Sequence, residues 1–353
     1  MTSSNVFGRI RSARGTRLLS SIYLLYNIRV KVLLVFGGEG SERDVSIMSA
    51  RNVATAMREA GYDVMLAYIT RNGEWLAADD VDNMNNPGGK SVSLNQIDVD
   101  VIFPLIHGKG GEDGMIAFMG ASLNIPVVGC DLEASRIAWD KDLCKQTLEQ
   151  HGLAVVPWLA LRKGETVAYE SVKEKLDSDV LFIKPAREGS SIGVSKATNE
   201  QEFADACELA FDYDDKILIE KAIFGRELEC AVLGKASDVR TTEIGEITTD
   251  SGFYDYDSKY VSTTASTLDI PAKNLSSEQV KTIQDYAKRA FIAIGGSGLS
   301  RVDFFLATDG TIYINEINTM PGFTNISMYP KLWQQAGLSY ADLIKELINL
   351  AID

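Results

Sequence analysis

The chain has 353 residues, 45% of them hydrophobic and 24% charged, which fits two or three globular domains and excludes collagen-like, low-complexity and wholly disordered chains. Its 49 acids exceed its 35 bases, and the net charge of −14 is a poor match to nucleic acid or an anionic membrane surface. No window offers about 18 consecutive apolar residues, so no membrane insertion is expected.

Four cysteines, Cys130, Cys144, Cys207 and Cys230, lack any C-x-x-C spacing. They predict neither a disulfide framework nor a thiolate zinc site, and they suit a reducing, cytoplasmic setting. The two histidines, His107 and His151, are too few for a multi-histidine metal site. Any metal is therefore held mostly by carboxylates, which favours Mg²⁺ or Mn²⁺.

Residues 1–31 carry six basic side chains and no acid, with an uncharged run from Leu18 to Ile28. A signal peptide would need a small-residue cleavage site, and none follows. An organellar transit peptide fits the composition too. The preferred reading is an upstream extension, residues 1–29, outside the fold.

Val30–Phe36 is a short apolar run of the kind buried on both faces of a parallel sheet. It runs into the Gly-rich segment Gly37–Glu42. A helix is predicted next, with Ile47, Ala50, Ala54 and Met57 at helical spacing and Gly61 as its stop. Strands are predicted at Asp63–Ile69 and Val99–Ile106, joined by a polar connector. A second Gly-rich loop, His107–Gly114, then a helical stretch and Pro126–Gly129 complete the unit. Strand, Gly loop and helix in repetition describe a doubly wound, Rossmann-like α/β domain over 30–129.

A second unit, 130–219, opens with one helix from about Ala134 to Gly152. Strands follow at Val155–Leu161 and Val180–Lys184, then the loop Pro185–Gly193. The third unit, 220–353, is entered through strand Ile217–Glu220. It holds strands Leu228–Leu233 and Thr242–Ile247, a polar, aromatic loop Thr248–Thr264, and a helix from Ser277 with Ser276 and Gln279 as a capping box. A hairpin, Arg301–Ala307 with Ile312–Ile317, and one C-terminal helix end the chain. The class is α/β, α+β in parts.

The hairpin carries the strongest chemical signal. Side chains alternate faces along a strand. Arg301 and Asp303 therefore share a face, as do Glu316 and Asn318, although the alternation is less clean in the second strand. With Thr308–Thr311 as a four-residue turn, Ala307 pairs with Ile312, Asp303 faces Glu316 and Arg301 faces Asn318. Carboxylates this close repel unless a cation lies between them. A Mg²⁺ pair bridging phosphates fits, and a solvated polar sheet face would give the same pattern.

The loop Lys184-Pro-Ala-Arg-Glu-Gly-Ser-Ser-Ile-Gly193 can wrap phosphates with its backbone N–H groups. It lacks both the P-loop and the G-x-G-x-x-G pattern, and a flexible turn reads equally. Strand Ile217–Glu220 with Lys221 can meet a purine edge or be an ordinary edge strand. His107 reads as a loop-ordering residue or a functional one, and Lys141 as a solvated helix lysine or a phosphate ligand.

Five segments together resemble one family. They are Gly37-Gly-Glu-Gly-Ser-Glu-Arg-Asp-Val-Ser46, His107-Gly-Lys-Gly-Gly-Glu-Asp-Gly114, the Lys184–Gly193 loop, Phe253-Tyr-Asp-Tyr-Asp-Ser-Lys-Tyr260 and Asn315-Glu-Ile-Asn-Thr-Met-Pro-Gly322. In this order they resemble the D-alanine–D-alanine ligases, over about residues 30–353. The resemblance implies a three-domain ATP-grasp architecture: an N-terminal domain, a central domain with a phosphate lid loop, and a C-terminal domain with the metal and substrate site. It implies an enzyme that uses ATP and two Mg²⁺ or Mn²⁺ to join D-alanine molecules for peptidoglycan precursors, as a homodimer.

Carried over by position, Glu42 would pair with the first D-alanine's ammonium and His107 would lie near its carboxylate. Lys141, Lys184 and the Ser190–Ser191 lid would meet ATP phosphates. Lys259 would contact ATP, and Glu220, Lys221 and Glu227 would hold adenine and ribose. Asp303, Glu316 and Asn318 would ligate the metals. Arg301 and the Gly322 N–H would stabilise the oxyanion, with Ser327 and Met328 beside the second D-alanine. Glu42, Ser190 and Tyr260 would close the site. Tyr260 matches the dipeptide-forming branch. A D-lactate or D-serine acceptor, or a non-catalytic ATP-grasp nucleotide-binding module, are the alternatives.

Overall fold

Strand β1 (Lys31–Gly37) is buried at every position after the first. It lies between two parallel neighbours, β2 (Asp63–Ile69) and β4 (Val101–Pro104), which explains why its apolar run is continuous rather than alternating. A short edge strand, β3 (Trp75–Ala78), pairs antiparallel to β2 and gives the order β3-β2-β1-β4. It occupies part of the expected polar connector; four half-exposed residues carry too little periodicity to be read. This computed structural model describes residues 29–81, 90–235, 237–249 and 266–353.

Helix α1 (Arg43–Glu59) packs Ile47, Ala50, Val53, Ala54 and Met57 against the sheet. Helix α2 (Met115–Leu123) follows the second Gly loop. The single helix expected over Ala134–Gly152 is two, α3 (Leu132–Trp139) and α4 (Lys141–Gln150). Asp140 breaks it with ψ 97°, and its carboxylate accepts the Leu143 N–H at 3.1 Å, capping α4. Lys216 Nζ holds that carboxylate at 2.7 Å from a distant strand, which is why local propensity did not reveal the break. The break makes Lys141 the first residue of α4.

A second sheet runs β5-β8-β6-β7, where β5 is Trp158–Arg162, β6 Leu181–Pro185, β7 Ser195–Ala197 and β8 Lys216–Lys221. Its neighbours are all antiparallel, and α5 (Tyr169–Leu176) and α6 (Glu200–Tyr213) share its core. The third sheet runs β11-β10-β9-β12-β13, where β9 is Gly225–Lys235, β10 Asp238–Thr249, β11 Ser266–Asp269, β12 Gly298–Ala307 and β13 Ile312–Asn318. Helix α7 (Ser277–Ala293) covers it and starts with the expected Ser276/Gln279 capping box.

The end of the chain forms two helices instead of one, α8 (Met328–Gln335) and α9 (Tyr340–Ile352), separated at Gly337 with φ +90°. Both fold back onto the first sheet: Tyr329, Leu332, Leu343 and Leu347 share a core with Val32, Phe36, Met57 and Phe103. This return brings the segment 319–328 against α1. Among the described residues, no helix is long and apolar enough to cross a membrane.

Candidate active site

The hairpin builds one wall. Its register agrees with expectation near the site, with Asp303 opposite Glu316 and Arg301 opposite Asn318. The route differs. Leu306, not Ala307, pairs with Ile312, because the turn is one residue longer. Ala307 N–H reaches Thr311 O at 2.8 Å, and Gly310 turns at φ +88°. A β-bulge at Asn315 then restores the register. Ile312 and Ile314 are buried, Asn315 and Glu316 are both half-buried, and Ile317 is buried again. Strict alternation would have sent Glu316 into the core with Ile314; the bulge turns it outward.

Arg301 grips Asp303 with two bonds, Nε to Oδ1 at 2.7 Å and Nη2 to Oδ2 at 2.6 Å. Its Nε also lies 3.1 Å from Glu229 Oε2. Lys141 Nζ sits 3.4 Å from Glu316 Oε2 and donates to Glu188 O at 2.6 Å. Burial works against the Lys141 ammonium, but Glu316 and Glu112 outweigh it and raise its pKa. Asn318 Oδ1 accepts the Met320 N–H at 3.0 Å.

Glu42 caps the N-terminal end of α1 and accepts Ser190 Oγ at 2.5 Å, so the lid loop touches the first Gly segment. Ser190 and Ser191 both hold positive φ, 50° and 60°. His107 is buried, and its Nδ1 donates to Met320 O at 2.9 Å, since a carbonyl can only accept. Burial lowers its pKa, so Nε2 is a bare lone pair, and it has no hydrogen-bond partner. Burial and the Glu42 charge push Glu112 up to about 8.

A cavity of ≈ 590 Å³ gathers Glu42, Lys141, Ser190, Arg301, Asp303, Glu316, Asn318, Gly322, Ser327 and Met328, a size ordinary for a small-molecule site. A second, smaller pocket holds Lys184, Ser191, Glu220, Lys221 and Glu227. Glu220 is buried between two lysines, with Lys184 Nζ at 2.8 Å and Lys145 Nζ at 2.9 Å. Burial pushes its carboxyl up, but the two ammonium groups more than offset this and hold it below the usual range.

Family profiles described as D-ala D-ala ligase N-terminus and C-terminus match residues 31–130 and 147–349. Among curated relatives, a D-alanine–D-alanine ligase of Oceanobacillus iheyensis is 43% identical, covering 92% of this chain and 96% of its own. D-alanine–D-alanine ligase A of Escherichia coli K12 is 40% identical with the same coverage. This chain belongs to the D-alanine–D-alanine ligase family. Among solved structures, the D-alanine–D-alanine ligase of Coxiella burnetii superposes with a TM-score of 0.81 at 32% identity, covering 92% of this chain and 96% of that one. The VanG D-Ala:D-Ser ligase of Enterococcus faecalis gives 0.80 at 34%, covering 92% and 99%. The fold is therefore the ATP-grasp fold of the ligase family.

Seen as a ligase site, the structure brings together Glu42, His107, Lys141, Lys184, Ser190, Ser191, Glu220, Lys221, Glu227, Arg301, Asp303, Glu316, Asn318, Gly322, Ser327 and Met328 around the two pockets and their walls. Lys259 and Tyr260 lie outside the described residues. Two site residues escaped the sequence reading. Lys145 lies one turn after Lys141 on α4, and that i, i+4 spacing was the available signal. Glu112 stood within a quoted motif, but its burial depends on elements distant in sequence.

Proposed function

We propose that this ligase-family chain joins two D-alanine molecules into D-alanyl-D-alanine for peptidoglycan precursors, converting ATP to ADP and phosphate. One observation carries the reading: Lys141, Ser190, Glu227 and Glu316 line both pockets, so the pockets adjoin and a phosphoryl group bound in one can reach a carboxylate bound in the other. A carboxylate does not acylate an amine directly, because oxide is too poor a leaving group. The first D-alanine's carboxylate oxygen attacks the γ-phosphorus, and ADP leaves. The second D-alanine's amine, having lost a proton, attacks the acyl phosphate; the tetrahedral intermediate collapses and expels phosphate.

In this reading Glu42 receives the first ammonium. His107 lies near that substrate's carboxylate. Lys141, Lys184 and the Ser190–Ser191 lid face phosphates, while Glu220, Lys221 and Glu227 face adenine and ribose; Lys259 joins the nucleotide contacts. Arg301, held flat by Asp303 and Glu229, and the Gly322 N–H face the oxyanion. Ser327 and Met328 border the second carboxylate, and Tyr260 completes closure with Glu42 and Ser190.

Among the described residues, no three His, Cys, Asp or Glu side chains gather to hold a metal ion. The donor set is instead two carboxylates and a carboxamide, Asp303, Glu316 and Asn318. Hard oxygens without sulfur or imidazole fit Mg²⁺ or Mn²⁺, and Glu42, Glu229, Asp303 and Glu316 around Arg301 and Lys141 leave the cavity short of positive charge. Two such ions, when bound, neutralise the charge on the transferring phosphoryl. The division 1–29, 30–129, 130–219 and 220–353, a homodimer and a cytoplasmic setting belong to the same reading.

The test measures ADP release and product mass with D-alanine, D-lactate, D-serine and L-alanine. D-alanine alone should yield ADP and a dipeptide mass. ADP release only when D-serine or D-lactate joins D-alanine would shift the acceptor, a reading favoured by the VanG likeness. ATP binding without turnover would leave a nucleotide-binding module.

A further inference from the structure

We propose that Ser49 and Asn52 of helix α1 are positioning residues for the oxyanion, acting through the backbone of Phe323 to hold the Gly322 N–H in place. The inference rests on the ligase reading above, in which that N–H faces the reacting acyl group.

Residues 319–324 leave β13 without regular secondary structure, so no ladder orients their peptides. Side chains do so instead. On the near side, Asn318 Oδ1 holds the Met320 N–H at 3.0 Å and His107 Nδ1 holds the Met320 carbonyl at 2.9 Å. On the far side, the Phe323 N–H donates to Ser49 Oγ at 3.1 Å. The Phe323 carbonyl accepts Asn52 Nδ2 at 3.1 Å and Tyr340 OH at 2.9 Å. Pro321 and Gly322 are suspended between these two anchored residues.

Ring packing alone does not provide this. The Phe323 ring sits among Phe103, Tyr329 and Tyr340, which places the ring. A peptide plane can still rotate about bonds flanking the ring's Cα; the Ser49 bond holds the Gly322–Phe323 plane and the Asn52 and Tyr340 bonds hold the Phe323–Thr324 plane, so the Gly322 N–H, in the adjoining Pro321–Gly322 plane, is held through its neighbour. Gly322 has no side chain to limit that rotation; a Cβ there would meet Ser327 Oγ at 2.7 Å, so the Ser327 side chain would have to move. Ser49 is fully buried on a helix face that also holds Val45, Ser46, Val53 and Ala56. A serine there is a weak helix former and costs desolvation unless bonded; its bond is to Phe323.

Glu42, Ser49 and Asn52 are spaced by seven and three residues, two helical turns and nearly one more, so they share one face of α1. The residue proposed to hold the first ammonium and the two that hold the oxyanion loop therefore ride on one rigid rod. The helix sets the distance between the substrate's amine and the donor to its reacting oxygen, and a displacement of about 1 Å at such a site can cost about 100-fold in rate.

The test compares wild type with Ser49→Ala, Asn52→Ala, Asn52→Asp and the Ser49→Ala/Asn52→Ala double variant. It measures kcat, KM for ATP, melting temperature, and affinity for a tetrahedral phosphinate analogue of the dipeptide. The double variant should lose roughly 10- to 100-fold in kcat, with phosphinate affinity falling by a similar factor and KM for ATP within about twofold. Asn52→Asp, nearly isosteric but repelling the Phe323 carbonyl, should lose more than Asn52→Ala. A lower melting temperature with unchanged kcat and phosphinate affinity would overturn the inference and leave the bonds as packing. Wild type that makes no dipeptide would overturn the ligase reading and this inference with it; active wild type with fully active variants would overturn the inference alone.

Discussion

At the nucleotide end of the site, Lys145 and Lys184 close on a single carboxylate, Glu220. At the acyl end, Arg301 and Lys141 face Glu42, Glu112, Glu229, Asp303 and Glu316. Around the first pocket Lys141, Lys184 and Lys221 meet Glu188, Glu220, Glu227 and Glu316, close to balance. The second is left with acid to spare, which suits an ammonium and divalent cations. Burial, with the Glu42 charge beside it, raises the Glu112 carboxyl, whereas Lys145 and Lys184 outweigh burial and depress the Glu220 carboxyl. A net charge of −14 on the whole chain hides this contrast, because charge matters here over the few ångströms of each pocket.

The largest expected effect breaks the acyl end. Glu316→Gln removes a charge from the acid-rich hairpin and should lower turnover by roughly 100- to 1000-fold while leaving the fold intact. Turnover titrated against Mg²⁺ checks this, and near-normal rates at limiting Mg²⁺ would take Glu316 out of the cation site. Next comes the bulge. Deleting Asn315 leaves both halves of the hairpin register and the buried faces of Ile314 and Ile317 as they are, so stability should change by about 1 kcal/mol or less. Activity should nonetheless fall at least about tenfold, because one of two residues aimed at the cavity is lost and the local twist that the bulge gives the strand goes with it. A large fall in melting temperature would show instead that the bulge serves the fold.

At the nucleotide end, Lys145→Met should cost about 3 kcal/mol, since it breaks a buried pair, and should weaken ADP binding seen by calorimetry. The pH dependence sharpens this. Glu220 has a folded pKa below its unfolded value of about 4.3. Its stabilisation is thus fully present above that value and is lost as pH falls through the folded pKa. Urea unfolding between pH 6 and 3 should show a shallower acid loss in Lys145→Met than in wild type; equal slopes would mean Lys145 does not hold Glu220 ionised. Ser190→Ala, which removes the bond from the lid to Glu42, should cost about 1 kcal/mol of closure, read as a several-fold lower kcat with unchanged melting temperature. A chain begun at Ile28 should match the full chain in activity and melting temperature, and a drop in either would give residues 1–27 a role.

Much of this was legible in the residues. The continuous apolar run of β1 is the mark of a strand covered on both sides. The Ser276/Gln279 box announced α7. The pairing of Asp303 with Glu316 followed from counting, though the count was right for a compensating reason: a turn one residue longer, then a bulge. The uneven alternation after Ile314 was the visible trace of that bulge. The ligase motifs named residues that the structure gathers around the two pockets.

Local sequence determined where strands, caps and Gly turns fall, because those depend on neighbours within about four residues. Only the tertiary structure decided the rest. Lys216, 76 residues away, fixes the break at Asp140 that puts Lys141 at a helix start. The return of α8 and α9 onto the first sheet, more than 200 residues from β1, lays Phe323 against Ser49 and Asn52. The burial that pushes the Glu112 pKa up and the His107 pKa down likewise needs segments distant in sequence to meet. Desolvation and long-range hydrogen bonds have no signature in a linear pattern; they exist only once distant elements have excluded water between them.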